Sequence, residues 1–430
     1  MGYLLFLCHL CGVLTALLSA VFAYSSPSLD RGQGDQITIL RGPEDSVRVR
    51  IDMIRNARSE ICLSAYIFGN DRSARALLAE VRAARRRGIR VQVVLDGFGS
   101  QISPAILDHL TAEGVEFAVF HPIKVGRNPV SWFARMHDKL FLVDGSSALL
   151  GSLNVKDPYF HVNSLGRRML DREVLVQGDG AREAWRYFQE LWSSPFVFPR
   201  RNRPTDLAAQ IDAAAQLDFS VSVIRRAEGQ ALSIPYSWRR KPPFRAAATF
   251  VSDPIVPGDI FAQGGEERII DLLQRARSRI VVENPYLIPT ENLLNALTEA
   301  RRRGVEVILL TNSVFSSNQP LAHAAYEGIR GRLLALGIKI FEFQNFDTLH
   351  AKTIVVDDRW VYVGSHNWDP RSWFINRETG VIIDSREVAQ ELNRLTFARA
   401  TPSVVAVDQR TPCSAPFLHR VVSFLARPQL

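Results

Sequence analysis

Ala84-Arg85-Arg86-Arg87-Gly88-Ile89-Arg90-Val91 returns later in the chain as Ala300-Arg301-Arg302-Arg303-Gly304-Val305-Glu306-Val307. Other pairs flank it in the same order and at nearly the same separation. Ala57-Arg58-Ser59-Glu60-Ile61 is matched by Ala276-Arg277-Ser278-Arg279-Ile280, Tyr66 by Tyr286, and His137-Asp138-Lys139 by His350-Ala351-Lys352. Ordered matches at a near-constant offset mark an internal duplication. The body of the chain is therefore two copies of one unit.

Each copy reads alike. Apolar residues at helical spacing predict a helix over 47–58 and again over 267–277. A β-rich run follows at 61–68 or 280–287. A second helix, 74–87 or 291–303, ends in arginines and then Gly88 or Gly304. Cations oppose the negative helix end, and glycine suits a left-handed cap. Strands follow at 91–95 and 305–311, and a strand–turn–strand surrounds each histidine motif. This alternation predicts an α/β lobe with a largely covered sheet. The expected organisation is an apolar leader (1–30), a first lobe (37–198), a linker and interface excursion with an Ala-rich helix (199–248), a second lobe (249–400) and a tail (401–430).

The 430 residues are 47% hydrophobic and 22% charged, enough for two or three packed domains and not the composition of a disordered chain. The net charge of +8 favours an anionic partner, nucleic acid or an acidic membrane surface. No Lys, Arg, Asp or Glu occurs between Tyr3 and Tyr24. That run exceeds a signal core of about 7–15 residues and approaches the roughly 20 that span a membrane. Ala20 and Ala23 suit a signal peptidase, but no basic residue precedes the run. The expectation is a cleaved signal or a retained anchor, and either puts the rest of the chain at or across a membrane. Residues 417–425 carry one apolar face, which suits a helix lying on a membrane or a strap on the protein core. Of the four cysteines, Cys8 and Cys11 lie in the leader, Cys62 in an apolar run and Cys413 in the tail. Their spacing is not that of a metal site or a disulfide framework.

The chemistry lies in the duplicated histidine motif. His137 and Lys139 are followed by Asp144, Gly151, Ser152 and Asn154; His350 and Lys352 are followed at identical spacing by Asp357, Gly364, Ser365 and Asn367. Residues two apart on a strand face one side, so each histidine points with its lysine. Unpaired buried cations are costly, and an anion would complete such a site. The returning strand brings Ser152 and Asn154, or Ser365 and Asn367, back as neutral donors for phosphate oxygens. Asp144 and Asp357 read as hairpin residues.

The duplicated pattern resembles the HxK motif of the phospholipase D superfamily. The likeness extends over about residues 45–400 and is nearest to bacterial cardiolipin synthases. It includes Gly364-Ser365-His366-Asn367-Trp368-Asp369-Pro370-Arg371-Ser372, then Asn376-Arg377-Glu378-Thr379-Gly380, together with Pro285-Tyr286-Leu287-Ile288-Pro289-Thr290, Leu310-Thr311-Asn312-Ser313 and His323, Tyr326 and Arg330. Trp373-Phe374-Ile375 is bulkier than the family's pattern. The resemblance implies two pseudo-twofold-related α/β sandwich lobes sharing one active site. It also implies a covalent phosphohistidine, with His137 the nucleophile and His350 the general acid/base, or the reverse. Lys139, Lys352, Asn154 and Asn367 would hold the nonbridging oxygens, with no metal or other cofactor. Glu173 and Glu378 would orient the two histidines. His366 reads as peripheral, and His323 as structural or a substrate contact.

The implied activity is transfer of a phosphatidyl group between phospholipids to give cardiolipin, with an anionic lipid such as phosphatidylglycerol as substrate at a membrane surface. Hydrolysis to phosphatidic acid would use the same residues. A nuclease or a non-catalytic membrane-binding module are the remaining readings. The leader, and the lack of an evident base-stacking platform, disfavour nucleic acid.

Overall fold

The computed structural model describes residues 34–122, 133–162, 166–201, 206–231, 243–256, 264–400, 403–409 and 411. The apolar leader, the 417–425 segment, Cys8, Cys11 and Cys413 lie outside the described residues. Among those residues no helix is long and apolar enough to cross a membrane.

The first lobe contains β1 (Asp35–Leu40), β2 (Glu60–Ala65), β3 (Arg90–Asp96), β4 (Glu116–Phe120), β5 (Lys139–Val143), β6 (Ser147–Gly151), β7 (Met169–Leu170), β8 (Glu173–Gln177) and β9 (Val197–Pro199). The second contains β10 (Phe244–Ser252), β11 (Arg279–Glu283), β12 (Glu306–Asn312), β13 (Lys339–Phe343), β14 (Thr348–Leu349), β15 (Thr353–Val356), β16 (Trp360–Gly364), β17 (Thr379–Asp384) and β18 (Val404–Val407). Within one lobe the order is β1-β8-β6-β5-β2-β3-β4-β9. In the other it is β10-β17-β16-β15-β11-β12-β13-β18, the same sequence of roles. Antiparallel pairing of β1 with β10, Ile37 opposite Phe244, joins the two into one continuous sheet.

Helices α1 (Pro43–Asn56), α2 (Arg72–Arg86) and α3 (Pro104–Ala112) cover one face of the first sheet. A short α4 (Asp157–Phe160) follows β6, and α5 (Asp179–Trp192) covers the opposite face. After α6 (Leu207–Ala231) the plan repeats with α7 (Gly265–Gln274), α8 (Glu291–Arg302), α9 (Pro320–Ala335), α10 (Pro370–Phe374) and α11 (Arg386–Ala400). The core under α5 and α11 is continuous across the lobes: Phe188 and Leu191 share it with Val388 and Leu392. The excursion is narrower than 199–248. Pro199 ends an edge strand, α6 packs on α2 and α3 with Ala213 and Leu217 buried in the first lobe's core, and β10 begins at Phe244. Cys62 is buried, and burial pushes its thiol to about 12.

The duplicated arginine-glycine segment is a structural device. Gly88 and Gly304 have φ of +92° and +83°, the left-handed region. Gly88 N–H donates to Arg85 O and Ile89 N–H to Ala84 O; Gly304 and Val305 repeat both bonds on Arg301 and Ala300. These paired bonds satisfy the last carbonyls of α2 and α8. The arginines reach neighbouring helix ends. Arg87 donates to Ile54 O, Arg303 to Gln274 O and Ala276 O, Arg85 to Gly114 O and Arg301 to Leu336 O. Capping accounts for this repeat.

Candidate active site

Each histidine is delivered by a strand that crosses the lobe boundary. Met136 bridges Arg377 in parallel, and His137 N–H donates to Arg377 O at 2.8 Å. In the other half, β14 runs parallel to β7 with Leu349 opposite Leu170, and His350 N–H donates to Leu170 O at 3.0 Å. The residue after each bridging partner is a carboxylate. Glu378 lies 2.8 Å from His137 Nδ1, and Asp171 lies 2.8 Å from His350 Nδ1. Each motif histidine thus takes its carboxylate from the opposite lobe. With Nδ1–H donated to a carboxylate, Nε2 carries the lone pair.

Glu173 is therefore not an orienting carboxylate. It pairs with Gly151 at the start of β8, whereas in the second lobe Gly364 pairs with Gly380. By register Glu173 corresponds to Gly380, and Asp171 corresponds to Glu378. The resemblance of Arg172-Glu173 to Arg377-Glu378 misaligns the repeats, because the connection before Asp171 is longer than the one before Glu378. Glu173 is buried against Arg50, with Arg50 Nη1 and Nη2 at 2.9 and 2.5 Å from its two oxygens.

The serines bond neighbouring protein groups. Ser152 Oγ donates to Asp171 at 2.5 Å and Ser365 Oγ to Thr379 O at 3.1 Å. Ser372, from the Asp-Pro-Arg-Ser run, donates to Glu378 at 2.6 Å, and its Oγ accepts Asn367 N–H. The motif glycines allow close approach of a strand. A Cβ on Gly151 would collide with Arg172 O, and one on Gly364 would stand 2.6 Å from Thr379 O. Asp144 and Asp357 have left-handed φ of 52° and 53°. The Asp144 carboxylate accepts N–H bonds from Arg58, Ser59 and Glu60 and the Ser59 hydroxyl. Asp357 does the same with Arg277, Ser278 and Arg279. Against the cost of burial, these bonds hold both carboxyls below their ordinary value. This explains the Ala-Arg-Ser repeat.

Two roles escaped the sequence reading. Asp96, ending β3, accepts Met136 N–H at 2.9 Å, and Asn312, ending β12, clasps Leu349 through its N–H and its carbonyl at 2.9 and 2.8 Å. Both hold the residue immediately before a motif histidine. Their equal place at the end of the third strand of each repeat was the available signal.

Lys139 and Lys352 are buried, and among the described residues neither forms an ion pair with a carboxylate. Lys139 Nζ donates to His137 O at 2.5 Å. Lys352 Nζ donates to His350 O at 2.6 Å and lies 3.1 Å from His350 Nε2. Burial drives both ammonium groups down, Lys139 to about 8 and Lys352 to about 7. Burial first, then Lys139, Lys352 and His350, hold His137 well below the ordinary imidazole value, which places both motifs in one electrostatic site. His350 is lowered by burial and Lys352, against the opposing pull of Asp171. Asp171 resists the upward push of burial and sits at about 2 because of His350, Lys352 and Ser152. Tyr66 meets the His137 ring edge-on at 4.9 Å, and Tyr159 meets His350 at 5.4 Å. Asn154 Oδ1 accepts Ile67 N–H, and Asn367 Oδ1 is buried without a partner among the described residues. The result is two neutral imidazoles between two ammonium groups, an arrangement an anion with a reactive phosphorus would complete.

Asp138 turns away from the site. Its carboxylate accepts the Tyr187 hydroxyl at 2.6 Å in the shared core, where burial pushes it to about 8. His366 stacks on Trp373 and bonds Tyr362 through Nδ1, and His323 on α9 lies 3.6 Å from Glu327.

A family model described as cardiolipin synthase, PLD-like domain, matches residues 50–192 and 269–399. Cardiolipin synthase B of Escherichia coli (strain K12) is 28% identical over 363 residues, covering 84% of this chain and 79% of that protein. Cardiolipin synthase C of the same organism is 26% identical over 395 residues, covering 81% of each. The crystal structure of phosphatidylserine synthase from Haemophilus influenzae Rd KW20 superposes with a TM-score of 0.67 at 16% identity, over 92% of this chain and 95% of that one. That likeness shows the fold, a mixed α/β pair of halves.

Proposed function

This chain belongs to the phospholipase D superfamily, as an enzyme of the cardiolipin-synthase-like family that metabolises phospholipid, and from that premise we propose that it transfers a phosphatidyl group from one phospholipid to a hydroxyl of another, yielding cardiolipin. The observation that carries the reading is the crossed pair: two histidines, each braced by the other lobe's carboxylate, beside two ammonium groups without carboxylate partners among the described residues.

In the proposed reaction, His137 Nε2 attacks phosphorus, a P–N bond forms and the P–O bond to the first alcohol breaks. Lys352 occupies His350 Nε2 in the resting site, whereas His137 Nε2 accepts no hydrogen bond among the described residues, which favours His137 as the attacking nitrogen. The phosphodiester anion offsets the field of both lysines and returns His350 towards its protonated form, so that it gives its proton to the leaving oxygen. The acceptor hydroxyl then loses its proton to His350, attacks phosphorus and breaks the P–N bond. Lys139, Lys352, Asn154 and Asn367 stabilise the equatorial oxygens. Exclusion of water from the intermediate would decide transfer over hydrolysis. We further propose that the enzyme works at a membrane, with residues 3–24 as anchor or export signal.

The test is mass spectrometry of lipids after the purified chain meets phosphatidylglycerol vesicles, with and without phosphatidylethanolamine, beside His137→Ala. Cardiolipin from the wild type alone is expected. Phosphatidic acid as the sole product would make the enzyme a hydrolase on the same site. Cleavage of a nucleic acid with both lipids intact would overturn the lipid assignment.

A further inference from the structure

Five of the six phenylalanines that stand exposed among the described residues sit on the segments around the two histidines. Phe133 (52% exposed) and Phe346 (61%) each lie four positions before a motif histidine. Phe98 (67%) follows Asp96 and Phe315 (70%) follows Asn312, the two side chains that clasp the histidine segments. Phe374 (45%) ends α10. The sixth, Phe219, is on α6.

These loops are fixed by polar bonds and not by their rings. Asp96 also accepts Phe98 N–H, and Ser313 Oγ accepts Phe315 N–H. Two arginines complete the rim reciprocally. Arg167 of the first lobe donates to Phe315 O of the second at 3.0 Å, with its guanidinium 5.0 Å from the Phe346 ring centre. Arg371 of the second lobe donates to Phe133 O of the first at 3.1 Å. Among the described residues neither arginine forms an ion pair with a carboxylate, whereas the adjacent Arg168 is paired with Asp347.

Clustered exposed rings mark an interaction surface. Rings at loop tips with guanidinium forks behind them match the acyl–headgroup boundary of a bilayer, where the rings enter hydrocarbon and the forks meet lipid phosphate. A protein seated on the same rim would close off both histidines, whereas a bilayer would supply them. We propose that Phe98, Phe133, Phe315, Phe346 and Phe374, with Arg167 and Arg371, form an interfacial ring that seats the catalytic mouth on an anionic phospholipid bilayer. The inference rests on the phospholipid reading of the site.

The experiment places a nitroxide label on full-length Phe315→Cys, Phe346→Cys and, as a control, Phe219→Cys, with signal from the labelled wild type subtracted. Power saturation in oxygen and in a water-borne nickel chelate reads depth at each position, whatever the leader does. On phosphatidylglycerol-containing vesicles the two rim labels are expected to move about 5–10 Å below the phosphates, while position 219 stays in water. Rim labels that remain in water overturn the proposal. So does immersion equally deep on phosphatidylcholine alone, or labels already buried without vesicles and freed by dilution, which would mark a self-association face. Depth is read without turnover. An immersed rim without lipid products would sink the transfer reading alone, and cardiolipin formed with a dry rim would sink this inference alone.

Discussion

Asp171 and Glu173 are two positions apart and both side chains are buried, yet they do different work. Asp171 accepts from His350 and Ser152, while Glu173 neutralises Arg50. Asp171→Asn should leave the fold intact and lower kcat by about 10,000-fold, the loss seen when an orienting carboxylate is replaced by its amide. Glu173→Gln should instead leave Arg50 without its charge partner and lower stability by about 3 kcal/mol, with kcat per folded molecule retained. Denaturant melts and kinetics on both variants check the pair, and the reverse pattern would restore Glu173 as the orienting group. The pH profile of kcat/KM reports the free enzyme. Burial and the lysines keep the attacking His137 imidazole neutral, so the acid limb lies below the ordinary imidazole value of about 6.5. Lys352 at about 7 and Lys139 at about 8 lose their charge as pH rises, so kcat/KM falls through that window. A profile flat to about pH 10, the ordinary lysine value, would contradict the lysine assignment. The histidines, lysines and asparagines were legible because spacing repeats them. Asp171 was not, because its place is defined by pairing with Gly151 across a connection whose length differs between the repeats.

At the scale of elements, the repeats sort into structure and chemistry. Gly304 is open on all sides, so an added Cβ meets nothing but carries the strain of a φ of +83°. Gly304→Ala should cost about 1–2 kcal/mol without changing KM, measured by urea unfolding and kinetics. A raised KM with unchanged stability would mean that the arginine-glycine segment contacts substrate after all. The first two helices of each repeat and the parallel strands β2, β3, β11 and β12 were readable within a few residues, since apolar periodicity and caps are local, whereas α3, α5, α11, β4 and β13 were not read. The role of α6 was not: its burial depends on α2 and α3, which an Ala-rich run does not announce. The asparagine and aspartate clasps were equally hidden, because a polar residue ending a buried strand says nothing about which backbone it meets.

For the whole molecule, duplication is what makes the site. Neither lobe holds a motif histidine together with its orienting carboxylate, and the parallel bridges Met136–Arg377 and Leu349–Leu170 exchange the missing half. The two α/β lobes followed from the repeat alone, but the exchange did not, since a repeat in sequence does not say how its copies dock. Attack on phosphorus first by His137 and then by the acceptor hydroxyl implies two inversions. The direct measurement is the configuration at phosphorus after transfer from a chiral phosphorothioate analogue of phosphatidylglycerol to an alcohol acceptor, read by phosphorus-31 NMR. Retention is predicted; inversion would show a single displacement and contradict a phosphohistidine formed on either motif.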